Sequence, residues 1–380
     1  YRPMDFARPD CGRVISVHTW AKCSDQRGCV AALWHCLGGL GNERMNPWII
    51  EGEKFALIGL QVATDSSILD GAIADGYEAY TSLSLDMPGH WREWLGTLRV
   101  EDIEASTLFL VSRQKSRTPE VADGENQALQ RKVGRWLTGL QLVCPLSVYE
   151  DPVQASGCLL KGELDVREVG TLQRFHDSVV EMRIKVTAGH LFGATRVMTT
   201  LEQLMASPGP HLWRLMRCLG IYQQARTLTD PMDRIHQFVR CVEGVLATSA
   251  GKSLRRFKSR TELFVGPNHH ELMEAIYSKR SEVEHLREDE SLAAFDRSKR
   301  LEIAKMEVVV SELARHILLH ILSDADLSTR LGSKSQLESF WGLGEVERRS
   351  IWGDSYDLLS PLKGLREDWI TDRDLGAEVT

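Results

Sequence analysis

One decapeptide in the C-terminal half of the chain places an arginine and a histidine close together. Residues 276–285 read Ile-Tyr-Ser-Lys-Arg-Ser-Glu-Val-Glu-His, so that four residues separate Arg280 from His285. Arginine is a permanent cation whose guanidinium binds phosphate, and histidine is the side chain that exchanges a proton near neutral pH. Together they are a minimal set of groups for breaking a phosphodiester bond without a metal ion.

The same pair also has a purely structural interpretation. Ile276 and Val283 share one face of a predicted helix, and Arg280 lies beside that apolar stripe. An arginine in this position needs an anionic or hydrogen-bonding partner, and Glu243 is a candidate. On this interpretation Arg280 forms a structural ion pair, and His285 is a polar residue near the end of a helix.

The helices that would position these residues are predicted to form a bundle. The string Thr-Asp-Pro at 229–231 is typical of a helix start, with a capping side chain followed by proline in the first turn. This first helix is predicted to end at Gly251. Further helices are predicted over 253–265, from about His269, and over 298–322. Four helices this close in sequence are typical of an antiparallel bundle.

The N-terminal part of the chain mixes strand and helix patterns. Apolar runs at 13–18, 55–62 and 106–111 predict strands. Apolar residues at helical spacing predict an amphipathic helix over 126–143. The predicted fold class is therefore α+β overall, with an all-α helical bundle that follows a mixed α+β N-terminal domain.

These patterns divide the chain into three predicted regions. Residues 1–200 would be an α+β domain that senses a trigger or selects a substrate, and 201–325 would be the helical bundle. Residues 326–380 form an acidic extension that contains three tryptophans: Trp341, Trp352 and Trp369. Because exposing tryptophan is costly, we expect the extension to pack on the bundle or on a partner chain, with packing on its own chain favoured.

The composition is that of an ordinary folded protein. Apolar residues make up 43% of the chain and charged residues 26%, and the formal net charge is −7. Any contact with RNA must therefore be local, since the chain is not basic as a whole. No apolar run approaches the ~18–20 residues of a membrane span, and the start of the sequence has no hydrophobic signal core. We expect a cytoplasmic location without membrane contact.

The eight cysteines are too few for a disulfide scaffold. Cys218 and Cys241 lie in helical apolar patterns and are predicted to be small core residues. Four others lie near the N-terminus together with two histidines. Cys23 and Cys29 are six positions apart, whereas structural zinc sites use cysteine pairs two to four residues apart. Buried or free thiols are therefore favoured over zinc, and no cofactor is expected.

Three strings resemble the HEPN superfamily (higher eukaryotes and prokaryotes nucleotide-binding domain), and within it the Apea-like group. Residues 240–246 look like the first helix of that family with its glutamate, Glu243. Residues 257–263 are similar to the second segment, which carries an arginine before an apolar residue. Residues 276–285 resemble the family pattern Y-x-x-R-S-x-x-x-H, the most specific of the three. The resemblance is confined to residues 233–323.

This resemblance implies a metal-independent endoribonuclease that leaves 2′,3′-cyclic phosphate and 5′-hydroxyl ends. Arg280 would hold the scissile phosphate and His285 would transfer a proton. Supporting roles fall to Ser281, which would orient the phosphate, to Tyr277, which would stack or hydrogen-bond nearby, and to Glu243, which would hold Arg280. The alternative is a non-catalytic module that binds RNA or a nucleotide. A metal-dependent hydrolase is a distant third, because the sequence offers no convincing ligand set.

The helical spacing of the pair makes it look like half of a site. One histidine cannot easily act as both base and acid, and positions five apart on an ideal helix point about 140° away from each other. Either the helix ends before His285, or a second copy completes the site. HEPN nucleases pair two such motifs in one cleft, so the resemblance implies a homodimer with a composite active site.

The family also implies a biological setting. HEPN nucleases serve as toxins or in defence against phage, with a regulatory or antitoxin partner as a further expectation. Some small HEPN toxins carry a modifiable tyrosine two residues after the histidine. Arg287 occupies that position here, so this form of control is not predicted.

A basic run without an intervening acid precedes the motif: Lys252, Arg255, Arg256, Lys258 and Arg260. The run could guide an RNA backbone toward the cleft, as could Lys279. A solvated helix face in which Arg260 is structural explains the run at least as well. His269 and His270 are adjacent and do not face one site, so they are interpreted as cap or surface residues rather than as a metal pair.

Overall fold

The computed structural model describes residues 50–375 except for short gaps: 75, 84–87, 119, 121–122, 149, 176–183, 207–211, 248–252, 286–291, 364, 366, 369 and 373–374. Several predictions lie outside the described residues. They concern the strand at 13–18, the N-terminal cysteines and histidines considered for zinc, and the side chains of Lys252, Arg287 and Trp369.

Strands in the N-terminal half of the described chain form one antiparallel sheet. They are β1 (Glu53–Leu60), β2 (Gly71–Ala74), β3 (Tyr77–Tyr80), β4 (Leu108–Lys115), β5 (Val153–Leu160) and β6 (Glu163–Thr171). The strand order is β2-β3-β4-β1-β5-β6, so β1 lies at the centre and pairs with β4 and β5. Seven of the eight β1 residues are buried, because helices cover both faces of the sheet.

Three helices lie between strands of the sheet, and the remaining helices follow β6 along the chain. In chain order, the helices are α1 (Gly89–Leu95), α2 (Thr97–Ala105), α3 (Gly124–Val143), α4 (Ala188–Ala206), α5 (Trp213–Thr227), α6 (Pro231–Leu246), α7 (Ser253–Val265), α8 (His270–Glu284), α9 (Arg297–Ser323), α10 (Ala325–Gly332), α11 (Lys334–Gly342) and α12 (Glu345–Trp352). Short 3₁₀ turns lie at Leu292–Ala294 and Ser360–Leu362. The predicted α+β class is confirmed by this mixture of sheet and helices.

The two central strands begin at different residues from those predicted. The strand predicted over 55–62 begins and ends two residues earlier, and the strand predicted over 106–111 begins two residues later and ends four residues later. Ser106 caps the preceding helix instead, because its hydroxyl donates to the Asp102 carbonyl at 2.9 Å. An apolar run predicts a buried strand, but it does not show at which residue the flanking helix ends.

Helix α6 begins as predicted and ends earlier than predicted. The Asp230 carboxylate accepts hydrogen bonds from two backbone N–H groups of the first turn. The helix ends at Leu246, and Ala247 follows with a positive φ of 49°, whereas the prediction placed the end at Gly251. The reason is Arg260, whose guanidinium donates to the carbonyls of both Leu246 and Ala247. Arg260 therefore satisfies the end of α6 from a different helix.

The largest apolar core lies among α4 to α12. The predicted apolar positions are buried in it: Ile235, Phe238, Val239, Val242, Val245 and Leu246 on α6, and Ile303, Val310, Leu313, Ile317 and Ile321 on α9. Cys218 and Cys241 are also buried there, as predicted. The predicted boundary between the first and second regions, at residue 200, lies inside α4. Val197, Met198 and Leu201 of that helix belong to the same core.

The C-terminal extension packs on its own chain through two of its tryptophans. The Trp341 indole N–H donates to the Val245 carbonyl at 2.9 Å. The Trp352 ring lies 4.4 Å from the ring of Phe264, centre to centre. Both tryptophans are buried. The extension thereby covers the ends of α6 and α7.

A buried ion pair joins α6 to α9. Arg234 Nε lies 2.6 Å from one Glu307 oxygen, and its Nη2 lies 3.0 Å from the other. The third nitrogen, Nη1, donates to the carbonyls of Leu228 and Thr229, each at 2.9 Å. The two side chains are 6% and 1% exposed. Every nitrogen of this guanidinium is paired, as a buried charge requires.

The helices show no membrane-spanning segment. Among the described residues, each helix is either too short or too polar to cross a bilayer. The longest helix, α9, carries charged and histidine side chains along its length. Its buried face instead packs against α6 and α4 in the helical core.

Candidate functional site

Polar side chains line the contact between α6 and α8. On each helix three of them occur at spacings that return to one face, so the two polar faces meet. We call this group the α6–α8 seam: His236, Arg240 and Glu243 on α6, and Tyr277, Arg280 and Glu284 on α8. Low residue numbers on one helix pair with high numbers on the other, which makes α6 and α8 antiparallel.

Arg280 occupies the middle of the seam. Its Nη2 lies 3.3 Å from Glu243 Oε2 and 3.8 Å from Glu284 Oε2. Its guanidinium carbon lies 5.6 Å from the centre of the Tyr277 ring. The side chain is 18% exposed, and its buried Nε has no hydrogen-bond partner among the described residues. Arg280 is therefore held by two carboxylates, while its guanidinium is not fully paired among the described residues.

Glu243 and Tyr277 support Arg280 from α6 and from the preceding turn of α8. The Tyr277 hydroxyl donates to Glu243 Oε1 at 3.2 Å, while Glu243 Oε2 faces Arg280. Tyr277 packs against the ring of Phe257 at 5.1 Å, and burial raises the pKa of its hydroxyl. Tyr277 therefore remains a donor and orients Glu243. The sequence analysis expected Tyr277 to stack or hydrogen-bond near the motif, and the structure places its hydroxyl on Glu243.

His236 is a member of the seam that the sequence analysis missed. Its Nε2 is hydrogen-bonded to Glu284 Oε2, the same oxygen that faces Arg280. The hydrogen bond from His236 and the charges of Arg280 and Arg240 hold the pKa of Glu284 below its ordinary value, against the opposing effect of burial. The spacing of His236, Arg240 and Glu243 along α6 was the signal that could have revealed this face.

His285 lies just beyond the end of α8. The helix ends at Glu284, and the His285 backbone N–H donates to the carbonyls of Ser281 and Glu282, each at 3.2 Å. The His285 side chain is exposed, and that of Ser281 is half-buried. No hydrogen bond or ion pair joins His285 to Arg280 in the part of the chain that the structure describes. The helix thus ends before the histidine, one of the two routes considered from the spacing.

Two of the candidate RNA-contacting lysines already have partners. Lys258 forms an ion pair with Glu274 across α7 and α8. Lys279 forms one with Glu282 at 2.5 Å, one turn further along α8. The side chains of the two glutamates are more exposed than those of the lysines, which are half-buried. Both lysines therefore stay available only in competition with a neighbouring carboxylate.

The arginines of the basic run have different surroundings. Arg255 is exposed on α7, and Arg256 is half-buried. Arg260 donates to the carbonyls at the end of α6, and its guanidinium carbon lies 4.8 Å from the centre of the Trp341 ring. The structural interpretation of Arg260 is therefore the one that the contacts support. Among the described members of this run, Arg255 is the exposed one.

Within the described ranges, His, Cys, Asp and Glu side chains form no group of three or more that could hold a metal ion. His270 is hydrogen-bonded to Glu262, and His269 precedes the first turn of α8. These two histidines are surface residues near a helix start, in agreement with their interpretation from the sequence.

Comparison with known proteins gives no relative. No protein-family model, no curated protein and no solved structure matches this chain. What the chain does is therefore inferred from the chemistry of its own side chains. The α6–α8 seam and the exposed His285 after α8 carry the anion-binding and proton-exchanging side chains on which this inference is based.

Proposed function

We propose that this chain is a metal-independent endoribonuclease of the HEPN type. It would act in the cytoplasm as a homodimer with a composite active site, as a toxin or an effector of anti-phage defence. The observation that carries the proposal is the state of Arg280. This guanidinium is partly desolvated, held by carboxylates on one side and short of partners on the other, and an exposed histidine follows at the end of the same helix.

The reaction needs one cation and two proton transfers. A base removes the proton of a ribose 2′-hydroxyl, O2′ forms a bond to phosphorus, the P–O5′ bond breaks, and an acid protonates O5′. The products are a 2′,3′-cyclic phosphate and a 5′-hydroxyl, so atoms and charge balance without water or a metal. Arg280 stabilises the negative charge that grows on the non-bridging oxygens, and His285 exchanges one of the protons.

Glu243 and Glu284 would then have different relations to the phosphate. Glu243 is 14% exposed and also accepts from Tyr277, so it stays in place as the support of Arg280. Glu284 is 40% exposed, and its contact with Arg280 is the longer one at 3.8 Å. A phosphate can therefore take over the contact with Arg280 from Glu284 and leave the contact with Glu243 unchanged.

Cleavage of RNA in the presence of EDTA tests the proposal. Purified wild type, Arg280→Ala and His285→Ala are each incubated with a mixture of RNAs, and the ends of the products are identified. Arg330→Ala is the matched control, because Arg330 is an exposed arginine on α10. We expect cleavage by the wild type and by Arg330→Ala, and loss of cleavage in the other two variants.

The same assay separates the proposal from its alternative. If the wild type binds RNA or a nucleotide without cleaving it, the chain is a binding module, and the nuclease proposal is wrong. Equal cleavage by Arg280→Ala would likewise remove Arg280 from the site. In a parallel assay with Mg²⁺ in place of EDTA, cleavage that occurs only there would indicate a metal-dependent reaction and would also overturn the proposal.

A further inference from the structure

The proposed reaction needs two groups that transfer protons, and the sequence motif supplies only His285. We infer that His236 is the second proton-transfer group, and that the same chain supplies it. This inference rests on the proposed function and names a further catalytic residue for it. It also changes which chain supplies the two proton-transfer groups, since one chain would then carry both imidazoles.

The geometry brings His236 to the phosphate-binding group. His236 Nε2 and Arg280 Nη2 both contact one atom, Glu284 Oε2. Glu284 is the last residue of α8 and directly precedes His285. A single carboxylate therefore joins the imidazole on α6, the guanidinium on α8 and the turn that carries the second histidine. His236 and Arg280 therefore meet at one carboxylate, and His285 follows that carboxylate directly in the chain.

The hydrogen bond to Glu284 defines which nitrogen of His236 can react. An ionised carboxylate only accepts hydrogen bonds, so Nε2 is the donor in this contact. The neutral ring then has Nδ1 free to take a proton, and the protonated ring can give that proton back. Glu284 thus fixes which nitrogen carries the proton and orients the ring, as a carboxylate does behind a catalytic histidine.

Charged side chains reach the neighbourhood of His236 from two helices. Glu284 faces it from α8, Arg280 contacts the same Glu284 oxygen, and Arg240 lies one turn further along α6. Within the described residues, no hydrogen bond or ion pair connects the His236 side chain to any other element. The ring is 13% exposed, so solvent reaches it, and the proton that it exchanges can be restored between turnovers.

His236 and His285 would share the two proton transfers. One ring takes the 2′-hydroxyl proton as the O2′–P bond forms, and the other protonates O5′ as the P–O5′ bond breaks. The two rings end the step with their protonation states exchanged, and solvent restores them. Such a pair gives a bell-shaped dependence of rate on pH, with one limb for each imidazole.

His236→Gln tests the inference, because the glutamine amide can still donate to Glu284 but cannot transfer a proton. We expect the variant to lose at least about 100-fold in kcat, with little change in KM, and to lose one limb of the pH–rate profile. A full-chain preparation with an unchanged melting temperature shows that the fold is retained. Wild-type kcat with both limbs present would overturn the inference.

Glu284→Gln is the second variant, and it keeps both histidines. Removing the carboxylate takes away the acceptor that orients the His236 ring, so kcat should fall by about tenfold with little change in KM. A side chain with only a structural role would change the melting temperature and leave kcat unchanged. Wild-type kcat in Glu284→Gln would therefore also overturn the inference, even if His236→Gln failed to fold.

The failure of this inference differs from the failure of the proposed function. Wild type and Arg280→Ala are measured in the same assay. If the wild type does not cleave RNA, the function and the role of His236 both fall. If the wild type cleaves, Arg280→Ala does not, and His236→Gln does, the nuclease stands and only the role of His236 is wrong. The second imidazole would then have to come from the partner copy.

Discussion

Two arginine–glutamate contacts join α6 to its neighbours, and they differ in how completely the guanidinium is paired. Arg234 meets Glu307 on α9 through two bonds of 2.6 and 3.0 Å, and both side chains are almost fully buried. Arg280 on α8 meets Glu243 at 3.3 Å, and both of these side chains are partly exposed. The residue types are the same, but only the first contact is closed, which means that every nitrogen of the guanidinium has a partner.

The difference separates an ion pair that holds the fold from one that can accept a ligand. All three nitrogens of Arg234 have partners, so another anion could enter only by breaking a buried pair. Arg280 has an unpartnered Nε within the described residues and a second carboxylate at 3.8 Å. Substitution of Arg234 should therefore change stability, and substitution of Arg280 should change chemistry.

The largest effect on stability is expected from opening the closed pair. Arg234→Met leaves the Glu307 carboxylate buried without its cation, and we expect a loss of about 3–5 kcal/mol in the free energy of unfolding. Urea denaturation measures the loss. Replacing both residues, as in Arg234→Met with Glu307→Leu, should recover much of it. A loss below about 1 kcal/mol in the single variant would show that the pair is not closed.

A smaller effect is expected from acid, and it belongs to α9 rather than to the seam. Burial, with help from the charges of His320 and Arg315, lowers the pKa of His316 to about 4 from an ordinary value of 6.5. Below pH 6.5 the His316 imidazole binds a proton in the unfolded chain, whereas in the folded chain it binds one only near pH 4. Stability should therefore fall with pH in this window, by no more than about 2 kcal/mol between pH 7 and 5.

The control for this prediction is the same titration with His316→Gln. Removing the imidazole should flatten the decline in unfolding free energy between pH 7 and 5, since no proton is then taken up at this position. If the slope is unchanged, another group controls acid stability. Acid effects on RNA cleavage that persist in His316→Gln would belong to the seam.

The smallest effect is expected from the support of the open pair. Tyr277→Phe removes the hydrogen bond to Glu243 and should cost about 1 kcal/mol or less in unfolding free energy. Because Glu243 is then less well fixed, RNA cleavage should fall by about tenfold. Tyr356→Phe is the matched control outside the seam and should leave cleavage unchanged. Equal rates for wild type and Tyr277→Phe would show that Arg280 is positioned without this support.

The fold was predictable where local signals sufficed. The carboxylate of Asp230 and the following proline marked the start of α6, and apolar spacing identified its buried face. The end of α6 was not predictable, because Arg260 satisfies it from another helix. The start of β4 was missed for a similar reason, since Ser106 belongs to the cap of a preceding helix.

The site was predictable to a similar degree. Glu243 could be named as a partner for Arg280, because an arginine beside an apolar stripe needs an anion. The contact between His236 and Glu284 depends on the register of two antiparallel helices, which a single sequence does not specify. The position of His285 depends on the residue at which α8 ends. Both features depend on how the helices pack and where they end, and not on local sequence patterns.

The central claim is that Arg280 is an anion-binding group, whereas Arg234 is part of the fold. The most direct test is the rate of RNA cleavage in EDTA by Arg280→Ala, together with its free energy of unfolding from the same preparation. We predict a loss of about 100- to 1,000-fold in rate and a loss of no more than about 1 kcal/mol in stability. Wild-type cleavage by this variant, or a loss of activity that only follows unfolding, would contradict the account.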